Sequence, residues 1–132
     1  METALASGDV MTTQYFAVKI AELEHFDGEG GNFLAETSDG KTLCLAGRYL
    51  DSLVAKRVFP SLEFRTFVDR AAGFVYGVEP GPTPLNSWVV YGKLTDPVHF
   101  FVDGRLYDKT IAQLVAAVGG DEVRVACRAS DA

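Results

Sequence analysis

The dipeptide Asp39-Gly40 lies between two alternating stretches, Phe33–Thr37 and Thr42–Ala46, and restricts the fold more tightly than anything else in the chain. Asp and Gly tolerate the positive φ of a type I′ turn, so the spacing predicts a hairpin closed by a two-residue loop. In that register Ser38 faces Lys41, Glu36 faces Leu43 and Leu34 faces Leu45. One face then carries Leu34, Leu43 and Leu45, and the other Phe33, Ala35, Cys44 and Ala46. Apolar residues on both faces call for cover on both sides, from a sheet rolled into a small barrel or from a helix. Asp103-Gly104 repeats the same turn chemistry between Val98–Val102 and Arg105–Tyr107, predicting a second hairpin.

Period-two alternation marks further strands. From Gln14 onward, Phe16, Val18 and Ile20 share one face, with Lys19 on the other. Leu62, Phe64 and Thr66 alternate with Glu63, Arg65 and Phe67, and Phe74–Val78 follows as another strand. Ser87–Leu94 sets Trp88, Val90 and Leu94 against Val89 and Tyr91. Val123, Val125 and Cys127 form a last strand with Arg124, Ala126 and Arg128. Asp27–Gly31 and the proline-rich Glu79–Pro84 interrupt the pattern as loops, and Arg48–Val58 reads as a short helical turn or a loop. Ile111, Leu114, Val115 and Val118 form the stripe of an α-helix over about 109–118, with Asp108 as N-cap and Gly119 as C-terminal cap. The expected class is α+β: a strand-dominated antiparallel sheet or small barrel, with this helix in a C-terminal hairpin-helix-strand unit. Hairpin, helix, strand is also an element order of β-grasp domains, a likeness that implies no activity. Residues 1–12 read as a flexible tail ahead of one domain at 13–130, with a β-rich part at 13–79 and the hairpin-helix-strand part at 86–128.

Among the 132 residues, 48% are hydrophobic and 23% charged, enough apolar material for a core and too much for a disordered chain. Two cysteines do not make a disulfide scaffold, and Cys44 and Cys127 fall at alternating strand positions where a thiol acts as a small hydrophobe. Residues 1–12 lack the basic start and apolar run of a signal peptide, so the expected compartment is a reducing cytoplasm. No apolar run approaches the ~20 residues of a membrane span. Twelve basic against eighteen acidic residues give a net charge of -6, the opposite of what phosphate neutralisation requires.

The segment Asp39-Gly-Lys-Thr-Leu-Cys-Leu-Ala-Gly-Arg-Tyr-Leu50, followed by Phe59-Pro-Ser-Leu-Glu-Phe64 and Gly73-Phe-Val-Tyr-Gly-Val78, resembles a small β domain of uncharacterised bacterial proteins. The shared pattern is a hairpin, Gly-x-Tyr-Leu, Phe-Pro-Ser, then a strand pair, over about a third of the chain. The resemblance implies an all-β core for residues 33–79 and no activity.

Candidate chemistries fail on their residue requirements. His25 and His99 stand apart from each other and from any cysteine pair, so no metal-ligand spacing exists. No Gly-x-Ser-x-Gly elbow or flanked cysteine signature accompanies a catalytic base. Gly28-Glu29-Gly30-Gly31 is glycine-rich but acidic and leads into a strand rather than a helix N-terminus, unlike a phosphate cradle. Arg48, Lys56, Arg57, Arg65 and Arg70 interleave with aromatics as in a nucleic-acid groove, yet core aromatics and solvated edge arginines explain the same pattern. The sequence thus offers no catalytic, cofactor-binding or metal-binding residue. It points instead to a non-catalytic protein that binds a macromolecular partner, such as an inhibitor, adaptor or immunity-type protein, or that associates with itself. Tyr49, Trp88 and Tyr91 are candidate anchors, with Arg48 beside them and Pro82 on a stiff projecting loop. The alternative is a small enzyme or small-molecule binder with a pocket between the 33–79 sheet and the 98–128 unit.

Overall fold

The computed structural model describes residues 10–24, 31–56, 58–71, 75–92 and 101–127. Among these residues eight strands and two short α-helices follow in the order β1 (Val10–Leu23), β2 (Gly31–Thr37), β3 (Thr42–Gly47), a 3-10 turn (Arg48–Leu50), α1 (Asp51–Ala55), β4 (Glu63–Asp69), β5 (Val75–Pro80), β6 (Ser87–Gly92), β7 (Leu106–Tyr107), α2 (Ile111–Ala117) and β8 (Asp121–Cys127). The chain is therefore strand-dominated α+β. The strands form one sheet in the order β5-β4-β1-β2-β3-β7, with β6 pairing β1 and β8. Among the described residues all pairings are antiparallel except β1 with β6. The resemblance-based expectation of an all-β stretch at 33–79 gives way to two helical turns at 48–55.

The first hairpin forms at the expected place but in another register. Phe33 pairs with Leu45, Leu34 with Cys44 and Ala35 with Leu43. Thr37 closes on Lys41 around a three-residue loop, Ser38-Asp39-Gly40, with Gly40 at φ 81°. A type I turn followed by a left-handed residue produces this geometry, and the extra loop residue slips the pairing by one. The faces regroup accordingly. Phe33, Ala35, Leu43 and Leu45 enter one core cluster, and Leu34 and Cys44 enter another. The hairpin is thus buried on both sides, as its apolar residues require.

The first cluster adds Ala17, Ile20, Leu50, Phe59, Phe64 and Val78. Phe59 meets Phe33 and Phe64 edge-on, with ring centroids 5.2 Å and 5.9 Å away. The second cluster packs Ala21, Leu23, Leu34 and Cys44 against Phe101 and the α2 stripe of Ile111, Leu114, Val115 and Val118. That stripe is the one the spacing predicts. Thr110, not Asp108, caps the helix: its side chain accepts from the Gln113 N–H, and the Gln113 side chain accepts in return from the Thr110 N–H. At the other end Gly119, at φ 68°, bonds Ala116, and Gly120 bonds Val115, the paired closure of a Schellman motif.

Strand β1 departs furthest from its predicted faces. It already includes Val10–Thr12, assigned above to the tail, and an irregularity between Ala17 and Lys19 inserts Val18 as an extra residue against β2. Before the bulge Tyr15 and Ala17 face inward; after it Ile20 does. Phe16 and Val18, predicted to share a face with Ile20, are 66% and 57% exposed, whereas Ile20 is 3% exposed. A bulge flips the side-chain alternation, which sequence periodicity alone does not register.

The second Asp-Gly pair does turn the chain, with Gly104 at φ 84° and an Arg105 N–H to Val102 C=O bond of 3.1 Å. Its following arm, β7, pairs with Thr42 and Leu43 of β3. Phe101 and Val102 are not in a strand, and residues 98–100 lie outside the described residues. No helix among the described residues is long and apolar enough to cross a membrane.

Candidate functional site

The five residues singled out by sequence fall in separate surroundings. Tyr49, in the 3-10 turn, packs its ring against the first cluster. Its hydroxyl donates to the Asp103 carboxylate, which also accepts from the Ala46 N–H at 2.9 Å. Burial, then the Asp103 charge, push the Tyr49 phenol far up. Burial raises the Asp103 carboxyl too, against the opposing effect of those two hydrogen bonds. Cys44 beside them is pushed up to about 12, first by burial and then by Asp103. A thiol held that high is protonated at neutral pH and is no nucleophile. The cluster is scaffold: the Gly104 N–H and Arg105 C=O also bond Cys44, so residues 103–107 close the outer edge of β3.

Tyr91 packs against the second cluster, and its carbonyl accepts from the Glu24 N–H at 2.9 Å. Arg48 opens the 3-10 turn, with its side chain outside the described set. Pro82 lines a polar groove of about 320 Å³ with Gln14, Glu63 and the exposed Arg65–Glu79 ion pair, whose N···O distance is 3.2 Å.

Trp88 lines an apolar concavity. Its indole N–H donates to a Glu22 carboxylate oxygen at 2.9 Å, and its ring is packed in part on the first cluster. Around it Val18, Ile20, Leu62, Leu85, Val89 and Val125, with Lys19 and Ser87, line a groove of about 410 Å³. Val125 stands opposite Val89 in the β6–β8 ladder and is 58% exposed; Leu62 is 37% exposed. Val18, at 57% exposed, adds to this open apolar rim.

Sequence reading misses Val18, Leu62 and Val125. Alternation groups each with apolar residues on one face of its strand, and each lies where that alternation is broken or ends: Val18 at the β1 bulge, Leu62 just before β4, and Val125 on a strand paired on one side among the described residues. Where the alternative reading puts a pocket, between residues 33–79 and 98–128, side chains pack as the second cluster, and a surface groove of about 370 Å³ lies by Leu106 and the hairpin tip. Among the described residues no three of His, Cys, Asp or Glu converge as metal ligands; His25 and His99 lie outside them.

Comparison with protein-family models, with curated proteins and with solved structures finds no match for this chain.

Proposed function

We propose that the protein is a non-catalytic binding module that seats a segment of a protein partner in the Trp88 groove. The observation that carries this reading is the open apolar rim of Val18, Leu62 and Val125 around a tryptophan. Tryptophan is among the residues enriched at interface hot spots. Tyr49 serves as scaffold in this reading, since its ring and hydroxyl are both engaged within the fold.

The sheet edges favour a face over strand addition. Edge strands that stay monomeric carry prolines, bulges or covering segments. Strand β5 ends in Pro80, followed by Pro82 and Pro84, and the 103–107 segment covers β3. The β6–β8 register skips Val123, so β8 carries a bulge of its own. With β5 ending in proline, β8 bulged and β7 only two residues long, the partner docks on the groove rather than extending the sheet.

The test compares capture of partner proteins from native host lysate by wild type, Val18→Asp and Leu62→Asp. Both positions are exposed, so both variants should unfold cooperatively within a few degrees of wild type, consistent with the ~0.5 kcal/mol of ordinary surface changes. Capture should be lost in both. Unchanged capture by the two folded variants would remove the groove from the interface.

A further inference from the structure

We draw no further inference here: the strongest candidate, the surface groove that exposed Phe16 and Leu106 line beside the tip of the first hairpin, is an open patch, and nothing in the structure shows what covers it.

Discussion

The hydroxyl of Tyr49 donates to the carboxylate of Asp103, 54 positions further along the chain, and that contact fixes the segment covering the outer edge of β3. The same carboxylate accepts from the Ala46 N–H, so one side chain stands in for a missing strand partner. Asp103→Ala leaves both donors without an acceptor in a partly buried site and should cost about 1–3 kcal/mol. Asp103→Asn keeps an oxygen in place and should cost less than half as much. Denaturant unfolding of the two variants checks the order; equal losses would show that the charge, not the acceptor, matters.

Asp103 also sets a pH dependence opposite to that of an ordinary surface aspartate. Burial raises its carboxyl above the usual 3.8, so the folded chain holds that proton more tightly than the unfolded one. The contribution is complete below the unfolded pKa and is lost as pH rises through the folded pKa. Asp103→Asn removes this titration, and Tyr49 and Cys44, which its charge also pushes up, stay protonated in the acid range, so the stability of wild type minus that of the variant should fall as pH rises from below 3.8 and then level off. Urea titrations from about pH 3 to about pH 7 give the slope. A difference that grows with pH would mean that the Tyr49 and Ala46 hydrogen bonds outweigh burial.

The β1 bulge makes a prediction that simple alternation contradicts. With Phe16 and Val18 outward and Ile20 inward, Phe16→Ser and Val18→Ser should change stability by only about 0.5 kcal/mol each. Ile20→Ala should cost about 2–4 kcal/mol through lost burial and an unfilled cavity. Three similar losses would place the three side chains on one face after all.

The contrast shows what the sequence can and cannot specify. Ile111, Leu114, Val115 and Val118 are legible because a helix repeats one angular step, and nothing outside the segment alters which side they share. Strand faces depend on counts made elsewhere. A third residue in the Ser38-Asp39-Gly40 loop moves Leu34 from Leu45 to Cys44, and one inserted Val18 turns Phe16 outward. Both are single-residue events with no compositional mark, because Asp-Gly suits either loop length and valine suits either side of a bulge. The parallel pairing of β1 with β6 joins residues about 70 positions apart, beyond what local periodicity can specify. Trp88 was legible as an anchor because tryptophan is rare and large. Its neighbours Val18, Leu62 and Val125 were not, since each reads as ordinary core until the ladders are known.

Cys44 should behave as an inert thiol while the chain is folded. With its thiol pushed up to about 12 by burial, the thiolate available to an aromatic disulfide reagent at neutral pH is a minute fraction. In a Cys127→Ser background, labelling should therefore follow the denaturant unfolding curve and run to completion only above the midpoint. Rapid labelling in native buffer would show that β3 opens locally at Cys44 without global unfolding.

Helix α2 separates two candidate caps that sequence alone cannot rank. Asp108 and Thr110 both carry an oxygen able to accept a first-turn N–H, and both precede the apolar stripe. The structure gives the position to Thr110, whose side chain holds the Gln113 N–H at 3.2 Å while the Gln113 side chain holds the Thr110 N–H at 2.9 Å. Thr110→Ala should cost about 1 kcal/mol, and Gln113→Ala a smaller part of that, because each removes one half of a reciprocal pair. Asp108→Ala should be close to neutral, since it removes neither bond. The loss in Thr110→Ala should survive high salt, unlike a charge-dipole effect from Asp108, which salt would screen. Thermal unfolding of the three variants at low and high salt decides between them: a salt-sensitive loss confined to Asp108→Ala would return the cap to the aspartate.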